Sequence, residues 1–196
     1  MRLRTRQRCQ VILDEKMNEI EIKILGIDPA EIKKKLKKAG AKTVFENTLV
    51  NARCYDFPNK KIRKAKNHVR LRKIGNKVEL TYKELKSKAK YKINEETDIV
   101  INIKDFKLMQ KFLEKLGMKA YADYRKKRSR YRLGKWQYEI DKYPGIPHYV
   151  EVEVKSCNIA KGKKELEKAV KLIGFTMKDA KPWNGFEVHK YYKKKI

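Results

Sequence analysis

Polar and apolar residues alternate with period two along much of this chain, and three of these stretches lead into a helical pattern that stops at glycine. Glu19 to Ile24 alternates strictly, Pro29 to Ala39 carries helical spacing, and Gly40 follows. Thr97 to Ile103 is followed by Asp105 to Leu116 and Gly117, and Tyr149 to Lys155 by Ala160 to Ile173 and Gly174. Strands put successive side chains on opposite faces, whereas helices repeat every 3.6 residues, so each unit predicts a strand and then a helix. Asp28 before Pro29 is a good cap and first-turn pair. A glycine after each helix suits the left-handed C-terminal cap.

More alternating stretches lie between these units: His68 to Lys73, Val78 to Lys83, Tyr91 to Glu96, Arg125 to Leu133 and Lys135 to Asp141. Gly75-Asn76 reads as a tight hairpin turn, and Gly134 plays the same part before Trp136. About eight strands with three helices predict an α+β fold, a closed antiparallel β-barrel with helices packed outside. Residues 1–16, with Arg2, Arg4, Arg6 and Arg8, read either as a basic arm or extension ahead of a domain over 17–196, or as an ordinary first strand or helix.

The alternation also sorts charge. Glu19, Glu21 and Lys23 share one strand face opposite Ile20, Ile22 and Ile24; Arg70 and Arg72 flank Leu71; Lys126, Arg128 and Arg130 share a face; Glu151 and Glu153 oppose Val150, Val152 and Val154. One reading is a half-solvated sheet with its charges outward. The other follows if the helices cover the apolar face: the charges then line the lumen, which is costly unless a ligand compensates them. Converging Arg and Lys suit a compact polyanion such as triphosphate, and clustered carboxylates suit a hard cation with oxygen ligands.

Composition narrows the partners without choosing among them. The 196 residues hold 52 Lys+Arg against 24 Asp+Glu, leaving a net charge of +28, so the field of the chain attracts polyanions. At 41% hydrophobic there is enough apolar material for a core. Cys9, Cys54 and Cys157 are widely spaced and fit neither a zinc site nor a disulfide framework. His68, His148 and His189 lack partners at ligand spacing and read as surface or packing residues. No apolar run reaches the length of a membrane span and no secretory leader is evident, so a soluble cytoplasmic protein without a membrane partner is expected.

Several motifs together resemble the CYTH superfamily, the triphosphate tunnel metalloenzymes, and most nearly its class IV adenylyl cyclase-like and thiamine triphosphatase-related members. Glu19-Ile-Glu-Ile-Lys23 resembles the Glu-x-Glu-x-Lys signature. His68-Val-Arg-Leu-Arg72 resembles the Leu-Arg-x-Arg strand, and Glu79-Leu-Thr-Tyr-Lys83 the Leu-Thr-x-Lys segment. Tyr124 to Tyr131 is similar to the Lys-x-Arg strand, and Ile140-Asp141 with Tyr149 to Glu153 to the paired acidic strands. The stretch Asn51 to Pro58 and the closing Glu-Val-Glu point to the cyclase-like branch. The resemblance implies that Lys23, Arg70, Arg72, Lys83, Lys92, Lys126 and Arg128 bind a triphosphate. It implies that Glu19, Glu21, Asp141, Glu151 and Glu153 bind Mg²⁺ or Mn²⁺, and that Glu19, Glu21 and Lys23 take part in catalysis. Two departures stand out: Lys92, Asn94 and Glu96 where the family often has an Arg before an acidic residue, and Glu84 in place of a glycine after the Leu-Thr-x-Lys segment.

The expected substrate is ATP, inorganic triphosphate or thiamine triphosphate, in a monomer or homodimer. The reaction is either cyclisation of ATP to cyclic AMP and pyrophosphate or hydrolysis of the terminal phosphate. A basic nucleic-acid-binding protein is the competing class, supported by runs such as Lys33 to Lys35 and Lys193 to Lys195. A non-catalytic polyphosphate sensor is a third.

Overall fold

The computed structural model describes residues 17–193; the expected basic arm at 1–16 lies outside the described residues. Nine strands form one sheet, with β1 (Asn18–Leu25), β2 (Lys42–Asp56), β3 (His68–Ile74), β4 (Lys77–Lys88), β5 (Lys92–Ile101), β6 (Lys119–Leu133), β7 (Trp136–Lys142), β8 (Tyr149–Ser156) and the two-residue β9 (Ala180–Lys181). The order is β5-β4-β3-β2-β6-β7-β8-β1, with β9 beside β1, and an additional β1–β5 pairing joins the two ends. All of these pairings are antiparallel. Eight strands therefore close into a barrel, which leaves its long strands no free edge.

Five helices accompany the sheet: α1 (Pro29–Lys38), α2 (Lys61–Lys64), α3 (Phe106–Lys115), α4 (Ile159–Leu172) and α5 (Gly185–Lys193). The three helices expected from periodicity are α1, α3 and α4; α2 and α5 are additional. Asp28 caps α1 by accepting the Ala30 amide at 2.8 Å, and Gly40, Gly117 and Gly174 take φ between +79° and +88° as the helix-ending positions require. The apolar faces of the strands point outward onto these helices. Ile20, Ile22 and Ile24 of β1 and Val150, Val152 and Val154 of β8 share a buried cluster with Ile32 and Leu36 of α1 and Leu166, Ala169, Val170 and Ile173 of α4. Gly162 lets α4 approach, since a Cβ there would stand 2.3 Å from Ile20 Cδ1. Leu113 of α3 packs on Tyr55, Val69, Leu71 and Val78, and Val188 of α5 on Tyr143, Ile146 and Tyr149.

Two features differ from the sequence expectation. The segments Tyr91 to Glu96 and Thr97 to Ile103 are one strand, β5, because polar residues run across their join while the hydrogen-bond ladder to β4 continues. The 15-residue β2 was not anticipated: its pairing with β6 is interrupted by three register shifts and Asn47 takes φ 48°, so its side chains do not keep a simple two-residue alternation. No described helix is long and apolar enough to cross a membrane.

Candidate functional site in the barrel lumen

With the apolar faces covered by helices, the charged faces converge inside the barrel. Glu19, Glu21 and Lys23 are each at most 3% exposed, as buried as the isoleucines between them. The lumen is a cavity of about 950 Å³. Thirteen basic and eight acidic side chains line it, so it is net positive and suited to a polyanion.

Strand register sets which charges meet. Glu21 lies opposite Glu153 and Lys23 opposite Glu151 across β1 and β8, while Glu139 of β7 faces Glu151. Lys23 Nζ stands 2.6 Å from Glu151 and 3.6 Å from Glu21. Lys83 reaches Glu19 at 2.5 Å and Glu96 at 3.2 Å, and Lys92 reaches Glu21 at 2.6 Å. Arg70 and Arg72 project from β3; Arg72 pairs with Glu79 at 2.5 Å, and the buried Arg70 Nε has no hydrogen-bond partner. Among the described residues no three carboxylate, histidine or cysteine side chains converge as a ready-made metal cage; lysines stand between the acids instead.

Eleven of the twelve residues expected at the site line this one cavity: Glu19, Glu21, Lys23, Arg70, Arg72, Lys83, Lys92, Lys126, Arg128, Glu151 and Glu153 surround it, while Asp141, on the same face of β7 as Glu139, is covered by Lys126 and Arg128 and does not reach the open space. Asp141 is fully buried, with its oxygens accepting from Lys126 Nζ at 2.6 Å and from Arg128 Nε and Nη2 at 2.6 and 2.7 Å. It is therefore placed to hold those two cations toward the lumen.

Burial and neighbouring charges tune the groups. Burial pushes the Lys126 ammonium down to about 8, helped by Arg128 and opposed by Asp141 and Glu151. Burial alone would lower Lys23, but Glu151 and Glu21 outweigh it and hold its pKa above the ordinary lysine value. Burial would raise Glu151, yet Lys23, Arg128 and Lys126 hold it well below the usual carboxylate range. Glu153 goes the other way: burial first, then Glu19 and Glu139, push it well above that range. It accepts the Gln137 amide at 2.8 Å and has no Lys or Arg at ion-pair distance among the described residues.

Sequence reasoning passed over several lumen residues. Glu139 is buried and pairs with Arg128 and Arg130, which together bring it down to about 2 despite the opposing effect of burial. Its position two residues before Asp141 on one strand was the available signal. Glu79, two before Thr81, was legible in the same way. His68, expected as a surface or packing residue, is half-buried in the cavity wall, where Tyr121 Oη lies 3.2 Å from Nδ1 and Cys54 Sγ 3.6 Å from Nε2. Burial, then Arg70, Lys83 and Lys92, push it down to about 3, so it is neutral near pH 7.

The chain that forms this closed, charge-lined eight-stranded barrel matches the CYTH domain family model over residues 17–181. The chain belongs to the CYTH domain family. Three solved structures share the fold. A candidate adenylate cyclase from Vibrio parahaemolyticus is 18% identical with a TM-score of 0.77, over 88% of this chain and 97% of that one. The PH1012 protein from Pyrococcus horikoshii OT3 is 24% identical with a TM-score of 0.71, over 87% and 98%. The candidate adenylyl cyclase HpAC1 from Hippeastrum, described as having a dominant triphosphatase activity, is 18% identical with a TM-score of 0.61, over 88% and 95%. No curated protein matches the sequence.

Proposed function

We propose that this chain is a divalent-metal-dependent enzyme that holds a triphosphate in its barrel lumen and breaks one of its phosphoanhydride bonds. The observation that carries this reading is the burial of a basic and an acidic strip on one closed inner surface, with basic side chains in excess. Lys23, Arg70, Arg72, Lys83, Lys92, Lys126 and Arg128 take the phosphate oxygens. Arg70, with its Nε free of protein partners, and Lys126 and Arg128, held from behind by Asp141, are already aimed for that work.

The acidic strip fits a hard divalent cation. Glu153 is a buried carboxylate with no Lys or Arg at ion-pair distance among the described residues, pushed up by burial and by Glu19 and Glu139, and oxygen-only donors suit Mg²⁺ or Mn²⁺. Glu19, Glu21, Glu151 and Glu153 would hold the ion, with Asp141 at the edge of the set. Lys83, Lys92 and Lys23, which now bond these carboxylates, are long enough to turn to the phosphates instead. When bound, such an ion supplies charge neutralisation on the phosphates and eases departure of the leaving group.

Lys23, lodged between Glu21 and Glu151, takes a non-bridging oxygen as negative charge builds there, while those two carboxylates keep it fixed in direction. Attack by a ribose 3′-hydroxyl on the α-phosphorus breaks the α–β bridge and releases a cyclic nucleotide and pyrophosphate. Attack by water on the terminal phosphorus releases orthophosphate.

The experiment is incubation with ATP, inorganic triphosphate or thiamine triphosphate, each with Mg²⁺ or Mn²⁺, beside Glu151→Gln. Cyclic AMP with pyrophosphate defines a cyclase and orthophosphate a triphosphatase, either one lost in the variant. A folded protein that turns over none of them, with the variant behaving alike, overturns the proposal and favours a binding protein.

A further inference from the structure

Resting on that reading, we infer that the barrel mouth beneath α5 seats the flat heteroaromatic head of an organic triphosphate, with Phe186 as its stacking platform. The chain is thereby specific for such substrates over bare triphosphate.

The helix is fixed, not loosely appended. Val188 is fully buried against Tyr143, Ile146 and Tyr149. Asn184 and Glu187 cap the helix reciprocally, Glu187 Oε2 accepting the Asn184 amide at 2.8 Å and Asn184 Oδ1 the Glu187 amide at 3.0 Å. Glu187 also pairs with Lys88 at the end of β4. This contact fixes which barrel end the helix covers. His68, which begins β3, is registered opposite Lys83, five residues before Lys88, so it lies toward the same end.

Phe186 on this anchored helix is 74% exposed, more than any other large apolar side chain among the described residues, yet it lines the cavity. It has no ring partner among the described residues, whereas His189, one turn on, packs edge-on against Tyr143 at 4.5 Å. An anchored ring left bare at a cavity mouth is where an aromatic ligand gains most. The neighbouring wall is also unlike the middle of the lumen. His68 is neutral and tied to Tyr121, and the basic groups Lys88 and Arg63 are occupied by Glu187 and Asp56. Apart from the exposed Lys66, the polar groups beside this ring are neutral or already paired, which suits a base with a π-face and polar edges. At about 950 Å³ the cavity lies near the upper end of the roughly 300–1,000 Å³ typical of pockets for drug-sized ligands, so it has room for more than a triphosphate.

The test is isothermal titration of wild type, Phe186→Ala and Phe186→Trp with ATP, thiamine triphosphate and inorganic triphosphate in the presence of Mn²⁺. Phe186 is exposed, so neither substitution disturbs the core. Loss of one stacking contact should weaken binding of the heteroaromatic ligands in Phe186→Ala about five- to tenfold, leave inorganic triphosphate unchanged, and be rescued in Phe186→Trp. Comparison of the ATP and thiamine triphosphate arms identifies which head group is preferred. Equal affinity of wild type and Phe186→Ala for all three ligands, or an equal loss for all three, overturns the inference. Wild type that binds inorganic triphosphate but neither organic ligand also overturns it and leaves the tunnel reading standing. Binding of none of the three defeats that reading, and this inference with it.

Discussion

Asp141 supports two cations at once, and its removal shows how strongly the lumen depends on paired charge. In Asp141→Asn the neutral amide keeps the volume but leaves Lys126 and Arg128, both at most 7% exposed, without the carboxylate they share through contacts of 2.6 to 2.7 Å. Breaking a buried pair by deleting one partner costs about 3–5 kcal/mol, most of it from the charge left behind. Arg128 retains Glu139, so the lower end of that range applies. With a urea slope of about 2 kcal/mol/M, a loss of roughly 3 kcal/mol lowers the unfolding midpoint by about 1.5 M. Adding Arg128→Met to Asp141→Asn should recover part of the loss, because the orphaned cation is then removed. A midpoint shift under about 0.5 M for the single variant, or strictly additive losses in the double variant, would refute the argument that Asp141 holds these cations in place.

Three further outcomes follow from other contacts. Gly162→Ala should lower stability by about 1–3 kcal/mol in denaturant melts, since its new methyl meets Ile20 Cδ1 at 2.3 Å in a packed interface; an unchanged midpoint would mean that α4 can shift freely. Asp56 accepts from the Phe57, Ile62 and Arg63 amides and from the Arg63 guanidinium. Burial opposes its ionisation, but Arg63 and those amides outweigh burial and hold its pKa below the ordinary value. Its contribution is therefore present above the unfolded pKa near 4 and lost as pH falls through the folded one, so acid melts of wild type and Asp56→Asn should draw together progressively as the pH is lowered below about 4. Lys126, pushed down to about 8 by burial and Arg128, must be protonated to hold phosphate. Triphosphate affinity should therefore fall by up to about tenfold per pH unit above pH 8, and Lys126→Arg should flatten that limb; a profile identical in the two proteins would remove Lys126 from the phosphate contacts.

Local chemistry was legible in the sequence alone. Alternation located β1, β3, β4, β6, β7 and β8, because strand pleating reports directly in residue type, and the glycines at 40, 117 and 174 marked helix ends because each takes a positive φ. The shared faces of Glu19, Glu21 and Lys23, and of Lys126, Arg128 and Arg130, followed from parity alone. Parity cannot say which face turns inward. That was decided by α1, α3 and α4 covering the isoleucine and valine faces, and by β1 pairing with β5 to close the sheet. Closure and cross-strand register are contacts between distant parts of the chain, and they alone put Lys23 between Glu21 and Glu151, set Asp141 beneath Lys126 and Arg128, and brought Glu139 into the lumen. The bulged β2 and the docking of α5 over the barrel mouth were decided at the same level. Their local sequences carry no clean period, and their positions come from the partners they pack against.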